Sequence, residues 1–111
     1  MTIRERITAI QRQLRDETVT PQLAREALMT LTALLGNVLD ECREADFAYI
    51  DVYEALIQSE GKATVAKARG QKTAEYRRAR TAEDTKELTA ELIRSCKVYL
   101  RSLDTEMGLS R

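Results

Sequence analysis

The chain has 111 residues, of which 32% are charged and 43% hydrophobic; its 18 basic and 18 acidic side chains cancel, and it has no histidine. That length predicts a single domain, and the missing histidine removes the usual general base, the Ser–His and Cys–His nucleophilic pairs and the common Cys/His zinc spacings. One proline, four glycines and few aromatics leave little turn-making material and an aliphatic core, so a few long helices are expected.

The opening stretch, TIRERITAIQRQLRDE, places Ile3, Ile7, Ile10 and Leu14 on one helical face. Thr2 followed by Glu5 fits a capping box, and the predicted helix covers about residues 2–17. After a break at VTPQ, Thr20 as N-cap and Pro21 at the first helical position mark a second start. From there Ala24, Leu28, Leu31, Leu35, Val38, Cys42, Ala45, Tyr49, Val52 and Leu56 alternate four- and three-residue steps. That is a heptad seam, and it predicts a long helix over about 21–58, ~57 Å at 1.5 Å per residue. Leu34, Phe47, Ile50, Tyr53 and Ile57 widen the apolar stripe beyond one seam, a face that a bundle buries and an isolated helix cannot. Gly36 within it implies either a close helix approach or a kink.

Ser59, Glu60 and Gly61 end this helix, and a basic segment over 62–80 follows. It is alanine-rich with little to bury, and the expectation is a short helix, a turn near Gly70 and a second start. Thr81 with Asp84 resembles a capping box, and Glu83 and Asp84 suit the positive end of a helix dipole. The last helix, about 82–107, carries Leu88, Leu92, Cys96, Tyr99 and Leu103 on one face, while Arg94, Lys97 and Arg101 share a neighbouring one. The fold class read from these elements is all-α. A short N-terminal helix, a long heptad-patterned helix and a C-terminal helix form a helical bundle completed by oligomerisation.

Neutrality conceals two opposed blocks. Residues 38–61 hold seven acids (Asp40, Glu41, Glu44, Asp46, Asp51, Glu54, Glu60) against Arg43 alone. Residues 62–80 hold seven bases (Lys62, Lys67, Arg69, Lys72, Arg77, Arg78, Arg80) against Glu75. Such blocks can fold back on each other or pair between subunits, where exposed ion pairs contribute only ~0–1 kcal/mol each and set orientation more than stability. Alternatively the bases bind phosphate, with arginine forks gripping oxygens in pairs, lysines as point charges and Tyr76 stacking on a base.

Catalytic signals are sparse. Glu41 and Glu44 form an E-x-x-E pair, as the mixed Asp51 and Glu54 do, but the downstream E-x-x-D that all-helical nucleotide pyrophosphohydrolases add for magnesium is missing. Glu87 and Glu91 stand four apart, a common spacing on helical surfaces. There is no Gly-rich phosphate loop. The expectation is a chain that is not an enzyme, with no metal site and no cofactor. Cys42 and Cys96 read either as a redox pair or as two buried thiols in a reducing compartment. Nothing approaches the ~20 apolar residues of a membrane span, and residues 1–20 hold no apolar run of a secretory signal. The expected place is the cytosol, away from membranes.

The acidic helix ending LIQSEGKA, then EYRRAR, then ELIRSCKVYLRSLDTEMGLSR, together covering about residues 45–111, resembles small helical proteins of tailed bacteriophages. That resemblance implies work in the bacterial host cytosol during infection, inhibiting host defence or assisting phage replication and recombination. In general design the chain is similar to the anti-CBASS and anti-Thoeris sponges, small oligomers that hold an immune nucleotide in basic pockets between subunits without cleaving it. The similarity lies in size, heptads, absent catalytic groups and a basic face, with no residue carried over by alignment.

Three functions follow as expectations. The first is a homo-oligomer sequestering a cyclic or ADP-ribose-type nucleotide through Lys67, Arg69, Lys72, Tyr76, Arg77, Arg94, Lys97 and Arg101. The second is a protein-interaction module that inhibits a host enzyme or serves phage assembly, through Asp40, Glu44, Asp51 and Glu54 or the exposed part of the long heptad. The third is a single-strand nucleic-acid accessory protein: overall neutrality limits nonspecific affinity for a polyanion, but the local basic patch could still hold a short strand.

Overall fold

A computed structural model describes the backbone of residues 1–109 and the side chains of residues 1–105. Ser110 and Arg111, which close the phage-like segment, lie outside the described residues. Among the described residues the chain is all-helical, with four helices: α1 (Ile3–Asp16), α2 (Pro21–Glu60), α3 (Ala63–Gly70) and α4 (Ala74–Leu109). None is long and apolar enough to cross a membrane.

The helix starts follow local chemistry. The Thr2 hydroxyl oxygen accepts the Glu5 backbone N–H at 3.1 Å and stands 3.2 Å from the Glu5 carboxylate, to which it donates. The Thr20 hydroxyl likewise accepts the Leu23 N–H at 3.1 Å, one residue ahead of Pro21. α2 stops where Gly61 takes a positive φ of 71°, a conformation that costs glycine nothing, and the Gly61 N–H still closes on the Ile57 carbonyl at 2.9 Å.

The C-terminal helix begins earlier than the Thr81–Asp84 pattern predicts. Thr73 is the cap: its hydroxyl donates to the Gly70 carbonyl at 2.6 Å and accepts the Tyr76 N–H at 3.2 Å. The stretch AEYRRAR behind it consists mostly of good helix formers, so a helix nucleated at Thr73 meets nothing that interrupts it before Thr81. Thr81 is an interior residue whose carbonyl accepts the Thr85 hydroxyl at 2.7 Å. The basic segment is thus divided between α3, the turn at 71–73 and the first turns of α4.

The chain packs as two compact units, one formed by residues 1–37 with the chain from Glu87 onward, the other by Val38–Lys86. In the first, α1 supplies Ile7, the start of α2 supplies Ala27, Leu31 and Leu34, and α4 supplies Cys96. Ile3, Ile10, Leu14, Leu28, Leu88, Leu92 and Ile93 pack around that cluster. The Tyr99 hydroxyl donates to the Val19 carbonyl at 3.0 Å and ties down the link between α1 and α2. In the second unit the buried side chains are small: Val38, Ala45, Ala66, Ala82 and Thr85. Tyr49 lies over Gly70, where an added Cβ would stand 3.0 Å from the Tyr49 hydroxyl.

The ten-residue seam of α2 faces inward along its length, since none of its members is exposed. The widened stripe divides: Leu34 is buried and Tyr53 half-buried, but Phe47, Ile50 and Ile57 remain 61%, 47% and 36% exposed. Nothing lies within 4 Å of a Cβ placed on Gly36, so no close helix approach accounts for that glycine.

Candidate functional site

The basic segment meets its own acidic neighbour in two places. Arg69 on α3 pairs with Glu60, the last residue of α2, at 2.5 Å. Arg78 on α4 grips Glu41 with its Nε, 3.0 Å from one carboxylate oxygen, and with a terminal nitrogen, and that nitrogen also stands 3.6 Å from Glu44. The hydrogen bonds to Glu41, and then its negative charge, hold the Arg78 guanidinium even more firmly protonated than usual. Both carboxylates of the E-x-x-E pair therefore turn toward one arginine. Among the described residues no group of three or more Cys, Asp and Glu converges as a metal-holding cluster would.

The eight residues expected to hold a nucleotide fall into different surroundings. Lys67, Arg69, Lys72, Tyr76 and Arg77 belong to the second unit; Arg94, Lys97 and Arg101 belong to the first. Within the second unit Arg69 is engaged by Glu60, and Tyr76 is half-buried with its ring centroid 5.4 Å from that of Tyr49. One side of the Tyr76 ring is therefore already in contact with Tyr49. Lys67, Lys72 and Arg77 are exposed, and no carboxylate of the described residues lies within 4.0 Å of them. Arg94, Lys97 and Arg101 are exposed on α4, and Arg101 lines a shallow groove with Val98, Ser102 and Thr105. Those four lining residues come from a single helix, which supplies one wall and no enclosure.

The cysteines are free thiols placed in separate units. Cys42 donates to the Ala82 carbonyl at 3.3 Å; burial first, then the Glu83 carboxylate, push its thiol above the ordinary range. Burial alone pushes Cys96 up. Both shifts favour the neutral thiol, the poorer nucleophile, so neither cysteine has the depressed pKa of a reactive thiol.

Phe47, Ile50 and Ile57, which the sequence places on a face that a bundle buries, are exposed in the single chain. Along the part of α2 in the second unit run Leu39, Arg43, Phe47, Ile50, Glu54 and Ile57, all exposed and all within an ~80° sector of the helix at 3.6 residues per turn. Four of the six are large and apolar, with exposures from 36% for Ile57 to 61% for Phe47. The carboxylates of Asp40, Asp46 and Asp51 flank them, all exposed. Arg43 is held loosely, 3.7 Å from Asp40, with both side chains 68% exposed. Sequence reasoning named Phe47, Ile50 and Ile57 but not the line they form with Leu39, Arg43 and Glu54; the spacing between these six carries that signal. Isolated exposed apolar residues are ordinary, whereas four on one helical face rimmed by charge are less so.

No protein-family model, curated protein or solved structure matches the chain.

Proposed function

We propose that this chain is a non-catalytic helical interaction module whose exposed α2 stripe is covered by another protein chain in its working state. The observation that carries the reading is the line Leu39, Phe47, Ile50 and Ile57, left exposed while no residue of the seam on the other side of the same helix is exposed. Covering such side chains is favourable by about 25 cal/mol per Å² of apolar area removed from water, and the charged rim gives the contact its register. In the phage setting that residues 45–111 imply by resemblance, the partner is a protein present in the infected bacterial cell, and the complex is a bundle of helices completed between chains. A photo-crosslinking amino acid at position 47, in bacterial cells expressing the protein, is expected to give a protein adduct, and the same group at the exposed position Arg80 is expected to give none. Adduct-free chains at both 47 and 50 would remove the reading.

A second reading, retention of a phosphate-bearing nucleotide, is favoured by one observation: Lys67, Lys72 and Arg77 stand exposed with no carboxylate partner among the described residues. Native mass spectrometry with a panel of cyclic and ADP-ribose-type nucleotides tests it. The expectation under this reading is a whole-number ligand mass that disappears in Arg77→Ala; a bare spectrum across the panel excludes it.

A further inference from the structure

The α2 stripe has an internal order that names its partner. Read along the helix, it runs Leu39, Arg43, Phe47, Ile50, Glu54, Ile57: apolar, positive, apolar, apolar, negative, apolar. Reversed, the pattern keeps its apolar positions to within one residue and exchanges the sign of its charges. A surface with that property is complementary to itself when a second copy is laid antiparallel. We infer that the stripe is a two-fold interface between two copies of this chain, a proposal that rests on the interaction-module reading and specifies its partner.

The register follows from the spacing. With the two-fold axis between residues 48 and 49, Phe47 meets the partner's Ile50, and Ile50 meets the partner's Phe47. Arg43 comes level with the partner's Glu54, and Glu54 with the partner's Arg43. Leu39 and Ile57 close the two ends, each within one residue of the other's level. Arg43 is the single base among the seven acids of residues 38–61, and it stands on the stripe rather than on the acidic flanks. Its bond to Asp40 is long and exposed, so turning toward a carboxylate of the mate gives up little. An isologous arrangement of this kind closes on itself and leaves no free end that would extend into a filament. Asp46 and Asp51 stay at the wet rim, where water and salt screen their repulsion.

A basic amphipathic helix from another protein would also suit an acidic rim, but it would leave Arg43 facing like charge. The self-pairing gives every charge on the stripe an opposite partner.

Sedimentation velocity of the purified full-length chain across the micromolar range tests the proposal. The expected result is a dimer. Ile50→Asp, at an exposed position in the single chain, is expected to raise the dimer Kd by roughly 100-fold or more, because each substitution enters the centre of the interface twice. Far-UV circular dichroism should show unchanged helicity in that variant. Arg43→Glu is expected to weaken the dimer, and the double exchange Arg43→Glu with Glu54→Arg to restore it, a recovery that a merely greasy contact would not give. A monomeric wild type, a dimer indifferent to Ile50→Asp, or a double exchange that fails to recover would each overturn the inference. If the chain is monomeric while the crosslinker at 47 captures a different protein, the self-pairing falls and the interaction module stands. If positions 47 and 50 both capture no protein, both fall.

Discussion

Leu31→Ala is expected to lower unfolding stability by about 2–5 kcal/mol, the range for emptying a well-packed aliphatic site. Leu31 is fully buried, and it sits with Ile7, Ala27, Leu34 and Cys96 in the core of the first unit. Its neighbours come from three helices, so no single side chain can relax into the space that alanine leaves. Against the ~5–15 kcal/mol that holds a typical domain together, the loss is a large fraction of the whole. Val98→Ala, on the exposed face of α4, serves as the control and should stay within about 0.5 kcal/mol of the parent. Urea denaturation followed by circular dichroism measures both. A Leu31→Ala midpoint equal to the parent's would mean that the core does not close around this residue.

The second large effect belongs to Gly70→Val, expected to destabilise the protein by about 1–3 kcal/mol through overpacking. A Cβ at that position meets the Tyr49 hydroxyl at 3.0 Å and two ring carbons at 3.4 and 3.5 Å. Tyr49 has little freedom to give way, because its ring also packs on Tyr76 at 5.4 Å and near Tyr53 at 6.2 Å between centroids. Gly70→Ala should cost less than the valine change. It adds the same Cβ, but alanine's preference over glycine, about 1 kcal/mol in a helix interior and smaller at this last residue of α3, offsets part of the cost. Valine adds two methyl groups for which that offset does not suffice. With no tryptophan in the chain, the near-ultraviolet dichroism reports largely on its four tyrosines, three of which meet at this point. The valine variant should therefore lose near-ultraviolet signal along with stability. An unchanged spectrum and midpoint would show that α3 and Tyr49 do not approach as closely as described.

The two substitutions probe different kinds of packing. The first unit is held by branched aliphatic side chains meeting in a cluster, whereas the second buries Val38, three alanines and a threonine. Small residues let helix backbones approach closely, and such a contact is damaged by adding atoms rather than by removing them. This is the physical reason why residues 62–80, poor in large apolar side chains, are nonetheless ordered: Ala66 and Gly70 are buried because they are small.

Much of this was legible in the amino-acid sequence. The caps at Thr2 and Thr20, the stop at Gly61, the turn after Gly70 and the inward seam from Ala24 to Leu56 are properties of a few neighbouring residues or of a single helix's periodicity. Other features depended on contacts across the fold. Thr85 and Thr89 are buried at heptad spacing with Ala82 and Cys96, yet a search for apolar periodicity passes over threonine. Thr73 rather than Thr81 starts the last helix through bonds as local as those caps, to the Gly70 carbonyl and from the Tyr76 N–H, so that start was legible as well and the Thr81–Asp84 pattern drew attention from it.

The candidate site divides along the same line. The sequence by itself determined that seven acids and seven bases stand in adjacent blocks, and that α2 carries an apolar stripe wider than one seam. Only the tertiary structure decided that Arg69 and Arg78 turn back onto Glu60, Glu41 and Glu44. It also decided that Leu39, Phe47, Ile50 and Ile57 are left facing water. Periodicity sets the direction in which a side chain leaves its own helix; what waits in that direction depends on helices distant in the chain, and on this side of α2 the described residues leave these four side chains exposed.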